Sequence, residues 1–288
     1  MNKPTLETLT GKKHISYSGF DTFLQCGEKF RLQRVLNVPE DQAWWFIGGT
    51  AFHTATEYWD RGDDRTLINI WHDAWVEATD NLDETKPIKA GGRATKQWPD
   101  KENAAWWGFH GPQMLADYVK WRGTSGWEIY TVGDQPFIEW EFLLTLEPPI
   151  LKDNASEFIQ VKGFVDRVFV TPEGEAVVVD LKTGSREPAS TMQLGVYAAA
   201  LRHHGGIDPV LGGYYMSRTP KDPNLRALSM YTDQTVAYLL STFEDSVREQ
   251  NFIPHVTSMC QTCTVAPFCY AVGGQPPGGL PFEKNKEA

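Results

Sequence analysis

Asp166, Asp180 and Lys182 are the residues from which chemistry is first legible. They fall within the stretch 161–201, in two β-rich runs, GFVDRVFV and AVVVDLKT, joined by TPEGE, whose Pro and Gly mark a tight turn. Side chains alternate along a strand, so Asp180 and Lys182 point one way and Leu181 the other. The segment MQLGVYAAALRHH that follows reads as a helix, with Gln193 and Tyr197 at i and i+4 on one face. An acid on one strand, an acid and a lysine on the next, and a polar-tipped helix behind them make a constellation able to hold a divalent metal and cut a phosphodiester.

The second chemical signal is sulfur. Cys26 stands alone near the N-terminus, while Cys260, Cys263 and Cys269 form a C-x-x-C-x-x-x-x-x-C cluster. No secretory signal precedes them, which argues against a disulfide framework. Three thiols within ten residues suit a zinc ion or an iron–sulfur cluster, each of which takes four ligands. Cys26 is the only thiol left to supply the fourth, which would make the metal a clasp between the chain ends. Spacing alone does not separate zinc from iron–sulfur.

These groups need elements to hold them. SYSGFDTFLQCGEKFRLQRVL reads as a helix capped by Ser16 or Ser18, with Cys26 inside it or just past it. GGTAFHTATEYWD reads as a helix with Thr50 as its cap and with His53 and Glu57 on a shared face. Residues 66–80 place Leu67, Ile70, Trp71, Ala74 and Trp75 on an apolar stripe, and another helix is expected over 102–122. Between them, 81–100 is rich in Gly, Pro and basic residues and reads as a loop whose Lys86, Lys89, Arg93 and Lys96 could meet phosphates. FIEWEFLLTL alternates as a half-buried strand does; VLGGYYM reads as a strand and TDQTVAYLLSTFEDSVREQNF as an amphipathic helix. Helices, then strands, then helix, strand and helix give an α/β or α+β fold.

The 288 residues, 41% hydrophobic and 22% charged, can build a packed core. No run is apolar for the ~18 residues needed to span a bilayer, so a soluble, cytoplasmic protein with no membrane partner is expected. Net charge is −10, which weighs against a nucleic-acid coat held by bulk electrostatics and leaves that work to a local basic groove or a metal ion. The eleven tryptophans read chiefly as core residues, with a minority available for stacking on bases.

In chain order, GGTAFHTATE, GFVDRV, VVDLKTG and QLGVY resemble the His, Asp, (Asp/Glu)-x-Lys and Gln-x-x-x-Tyr motifs of RecB-type nucleases in the PD-(D/E)XK superfamily. The cysteine pattern is similar to that of the iron–sulfur branch, which includes CRISPR-associated RecB-like exonucleases and the nuclease domains of AddB-type proteins. The resemblance runs from Ser16 to Tyr270, broken by a long Trp-rich helical insertion at about 60–125. It implies a restriction-endonuclease-like core, a central mixed β-sheet flanked by helices, with an N-terminal helical region and an iron–sulfur clasp. Residues 1–15 would be a flexible start, 16–270 a single nuclease domain, and 271–288 a disordered tail.

By the same resemblance, His53, Asp166 and Asp180 are ligands of magnesium or manganese, with the Leu181 backbone carbonyl a further one. Lys182 would position and help deprotonate the attacking water, and Gln193 and Tyr197 would orient the lysine or touch the DNA. For Glu57, Glu139 and Glu141 a role behind the ligands and an ordinary salt bridge fit equally. Cys26, Cys260, Cys263 and Cys269 would hold a 4Fe–4S cluster, with zinc as the alternative. The implied activity is a metal-dependent DNA exonuclease on single strands or DNA ends, in recombination, repair or viral DNA processing, in the cytoplasm of a bacterial cell or phage-infected host. The alternative is a non-cleaving DNA-end-binding or adaptor subunit of a helicase or integrase complex, because no G-x-x-x-x-G-K-[ST] motor motif is present.

Overall fold

The computed structural model describes residues 4–83, 85–149 and 158–277. Most of the expected 271–288 tail lies outside these residues. In chain order the elements are α1 (Leu6–Thr10), β1 (Ile15–Ser16), α2 (Tyr17–Gln25) and α3 (Gly27–Phe30), which runs into a π-helical segment over Arg31–Val35. Then come α4 (Trp44–Asp60), α5 (Leu67–Thr79), α6 (Ala104–Ser125), β2 (Glu128–Ile129), β3 (Thr131–Val132), β4 (Gln135–Pro136), β5 (Ile138–Leu146), β6 (Ile159–Val170) and β7 (Ala176–Lys182). The chain continues through α7 (Met192–Ala200), β8 (Leu211–Met216), β9 (Arg226–Ala227) and α8 (Asp233–Arg248), and short 3-10 turns carry the C-terminal cysteines. No described helix is long and apolar enough to cross a membrane.

The chain divides into two compact units: Met1–Asp41 with Thr145–Lys162 and Ala237–Ala288, and Gln42–Leu144 with Gly163–Val236. In the first, the stretch expected to be a flexible start carries α1, capped by Thr5 with Leu6 buried. Ser16 rather than Ser18 caps α2, its side chain accepting from Gly19 N–H. Phe20, Phe23 and Phe30 meet Phe243 of α8 edge-on, at ring separations of 5.4, 5.0 and 5.3 Å.

In the second unit β6 pairs antiparallel with β7, and β7 parallel with β8, so α7 is the crossover of a strand–helix–strand element. β2 and β5 also pair with β6, and β9 with β8, giving the mixed sheet the sequence suggested. The β6–β7 turn falls in TPEGE, where Gly174 takes φ +85°, a left-handed conformation that glycine adopts without a Cβ clash. Val177, Val179 and Leu181 of β7 join one core with Phe52, Ile70, Trp71, Trp107, Leu115 and Tyr118 from α4, α5 and α6. That face of β7 is therefore committed to the helices, and period-2 alternation sends Asp180 and Lys182 to the other. α4 begins at Trp44, so Thr50 lies inside it rather than capping it. The apolar run from Trp44 extends the helix upstream of the Gly pair.

Candidate active site

β6 and β7 fix the centre of the site. Arg167 lies opposite Val179, and one step further the same register sets Asp166 opposite Asp180, on a shared face. Both acids are buried, 6% and 1% exposed. Asp166 Oδ2 accepts from Leu181 N–H at 2.8 Å. Asp180 Oδ2 is 2.7 Å from Lys182 Nζ and, that ion pair aside, has no hydrogen-bond partner among the described residues. Burial, and then the Asp180 charge, push the Asp166 carboxyl up to about 7.

The lysine is held from two sides. Its Nζ donates to Gln193 Oε1 at 3.0 Å, and Gln193 Nε2 donates to Tyr197 Oη at 2.9 Å. The i, i+4 spacing on α7 is what lets the amide bridge from lysine to phenol. Tyr197 is buried beside Phe142, and burial, then the Asp166 charge, hold its hydroxyl well above the ordinary pKa. It therefore stays a neutral phenol whose oxygen accepts from Gln193.

α4 contributes His53, whose ring contacts three elements. Nε2 donates to Leu181 O at 3.0 Å, while Nδ1 lies 3.4 Å from Glu139 Oε1 and 3.6 Å from Asp166 Oδ2. Burial alone would lower the imidazole pKa, but Asp166 and Glu139 outweigh it and raise it to about 9.

Glu139 reaches this point through a break in strand regularity. It has φ +45°, the left-handed region that an L side chain enters at a cost of about 1–2 kcal/mol. Along β5, Ile138, Phe142, Leu144 and Leu146 are buried and Glu141 is exposed. Glu139 Oε1 also accepts from Arg167 Nη1 at 3.2 Å. Burial opposes ionisation of Glu139, and the hydrogen bond from His53 overrides it, holding its pKa below the ordinary value.

Arg167 is a fully buried residue the motif reading passes over. Its Nε donates to Asp60 Oδ2 at 2.7 Å, Nη1 to Asp166 O at 2.6 Å, and Nη2 to Thr56 Oγ1 at 3.1 Å. Asp60 Oδ2 also accepts from Tyr118 Oη at 2.6 Å. The guanidinium thus anchors β6 to α4 and holds Glu139 in place. A second charged residue directly after Asp166 in a valine-rich run was the available signal, but its partner 107 residues earlier was not.

One ligand atom each from His53, Glu139 and Asp166 lie within 4.8 Å of one another. Oxygen donors with one imidazole, beside an Asp180 oxygen whose only partner is an ion pair, fit a hard divalent cation. A model of the PD-(D/E)XK nuclease superfamily matches residues 14–270. The chain belongs to that superfamily. It is thus a nuclease-family chain, of the hydrolase class, with a metal-binding site. It is similar to the Gene 69 protein of Mycobacterium phage D29, 28% identical over 282 residues, spanning 88% of this chain and 95% of that one. The Gene 69 protein of Mycobacterium phage L5 is 25% identical over 238 residues, 70% of this chain and 75% of that one. The crystal structure of SSO0001 overlays at a TM-score of 0.34 and 14% identity, over 88% of this chain and 98% of that one, too distant to carry an argument.

Within this nuclease fold the expected residues separate into two groups. His53, Asp166, Asp180, Lys182, Gln193 and Tyr197 are brought together, and the Leu181 carbonyl sits among them as the acceptor for His53. Glu57 is elsewhere: its Oε1 pairs with Arg61 at 2.8 Å, the salt-bridge reading. Glu139, not Glu57 or Glu141, is the acid at the cluster.

The four cysteines lie in the other unit, each partly buried and none in a disulfide among the described residues. Cys26 closes α2, and its Sγ accepts from His255 N–H at 3.3 Å. Cys260 Sγ accepts from Thr257 N–H at 3.5 Å. Burial, together with the Glu28 and Cys26 charges, pushes the Cys269 thiol up. Cys263 and Cys269 pack with Phe268 against Leu32, Val38 and Val265, so N- and C-terminal segments of this unit share a small core.

Proposed function

We propose that the protein is a magnesium- or manganese-dependent deoxyribonuclease that removes nucleotides from single strands or DNA ends. The carrying observation is the convergence of His53, Glu139 and Asp166, with Asp180 and Lys182 on the adjoining strand. His53, Asp166 and Asp180 would hold the cation, joined by Glu139; the Leu181 carbonyl keeps a second lone pair for it. A bound cation supplies the positive charge that acidifies a water and neutralises the scissile phosphate. Lys182, 30% exposed with its amine fixed by Asp180 and Gln193, presents a directed ammonium to the phosphate and the attacking water. Gln193 and Tyr197 set the angle of that amine rather than reacting. His53, and after it Arg167, keeps Glu139 ionised, and Arg167 holds it facing the ligands.

The cysteines support a RecB-type reading. Cys26, Cys260, Cys263 and Cys269 would hold a 4Fe–4S cluster, consistent with two sulfurs that accept backbone N–H bonds from the loop through His255 and Thr257. Its work would be to fasten the terminal segments. The phage origin of the relatives supports DNA processing in an infected cell.

Digestion of end-labelled single-stranded DNA with manganese tests the activity. Wild type shortens the label stepwise, and Asp180→Ala and Lys182→Ala do not; equal activity in the variants removes the reading. Cutting of closed circular single strands would make it an endonuclease. Anaerobically purified protein should be brown and contain iron; a colourless, zinc-loaded protein removes the cluster.

A further inference from the structure

The unit that carries the cysteines also contains an open cavity of about 70 Å³, walled by Phe30 and Phe243 and lined by Lys12, His14, Ser16 and Arg34. Among the described residues three basic side chains and no acid line it, in a chain of net charge −10. We propose that this cavity binds a phosphate of a nucleic-acid strand.

Arg34 carries the argument furthest. Its Nε is buried with no hydrogen-bond partner, and among the described residues no acid pairs with it. That Nε is closed to solvent, so it is the terminal guanidinium N–H groups of Arg34, which lines the cavity, that an anion there would engage. Arg34 lies on the π-helical segment Arg31–Val35, a distortion of helical repeat that recurs at binding sites. Lys12 has no ion pair among the described residues, whereas its neighbour Lys13 faces Glu7 at 3.9 Å. Burial, then Lys12 and Lys162, hold the His14 imidazole below its ordinary pKa. The start of α2 adds its partial positive charge, since its cap Ser16 lines the same cavity.

Arginine, lysine, imidazole and a helix start suit a many-acceptor anion such as phosphate. The room exceeds the ~30 Å³ share of one water in the liquid. The two phenylalanine walls offer an apolar face to a sugar or base. The identity of the phosphate's carrier rests on the nuclease reading; binding of phosphate as such does not.

The test uses the full chain in chelator, so that nothing is cut. Binding of a fluorescent single-stranded oligonucleotide, with a 5′-phosphate or a 5′-hydroxyl, is followed against salt. Lys12→Gln and Arg34→Gln should each weaken binding about tenfold and lower the log–log salt slope by about 0.7. Lys13→Gln, outside the cavity, should change affinity less than about twofold. Lys12 is exposed, so its variant reports even if Arg34→Gln fails to fold. A 5′-phosphate preference erased by Lys12→Gln assigns the cavity to the strand end; equal binding of both strands, lost in the variant, assigns it to internal phosphates. Variants that bind as wild type overturn the proposal. So does thermal stabilisation by inorganic phosphate that is lost in the variants while strand affinity is unchanged. A wild type that binds through these residues but never cuts, with either metal, removes the nuclease reading and leaves this site standing.

Discussion

Raising the pH in the absence of metal should destabilise the protein, and a divalent cation should reverse the trend. His53 titrates at about 9 when folded against 6.5 as a free side chain, and Asp166 at about 7 against 3.8. Both therefore hold protons in the folded state that the unfolded chain has released, so stability falls as pH rises. The His53 contribution is complete below 6.5 and lost as pH rises through about 9. The Asp166 contribution is lost as pH rises from 3.8 through about 7, leaving a buried charge beside Asp180. Between pH 6 and pH 8 linkage gives about 1 kcal/mol through Asp166 and about 2 through His53. His53 is 31% exposed, so solvent screening brings the sum nearer about 2 kcal/mol. Urea unfolding in chelator at the two pH values measures it. Saturating manganese takes the place of the protons, and stability should then hold level or rise with pH. Chelated protein whose stability is flat or rising over this window would refute the reasoning, as would an Asp166→Asn, His53→Gln double variant with an unchanged slope.

Arg167→Met should destabilise by about 1.5–3 kcal/mol in urea unfolding, because the Asp60 carboxylate, which is 0% exposed, loses its closer ion pair and keeps Arg122 at 3.3 Å and the Tyr118 hydroxyl, and Asp60→Asn in the same chain should recover part of the loss. Gly111→Ala drives a Cβ into the Trp71 ring and should cost about 1–3 kcal/mol or more, whereas Gly108→Ala on the same helix meets nothing within 4 Å. That second change should be neutral or stabilise by up to about 1 kcal/mol, read from thermal melts of both. Gln193→Ala should slow cleavage about tenfold to a hundredfold by freeing the Lys182 amine, with KM little changed in steady-state assays.

The β6–β7 hairpin was fully legible in the sequence. Valine-rich runs, a Pro/Gly turn and strict alternation place Asp180 and Lys182 on one face, with no information needed from elsewhere in the chain. The same holds for Gln193 and Tyr197, whose i, i+4 spacing is a property of one helix. Burial of α5 along Ile70, Trp71 and Ala74 follows its apolar stripe. Helix boundaries were less legible, because Trp44–Ile47 is as compatible with a buried strand as with the first turn of α4.

What the tertiary structure decided is which distant groups complete the site. Glu139 and Glu141 have the same spacing relative to the strand period and cannot be ranked from sequence. A left-handed residue at 139, held by Arg167 and His53, makes the choice. Nothing local to Arg167 points to Asp60, Thr56 and Glu139, which surround it in the fold. Local periodicity determines the face on which a side chain emerges; the partner it meets there depends on packing between segments far apart in the chain, which no local pattern encodes.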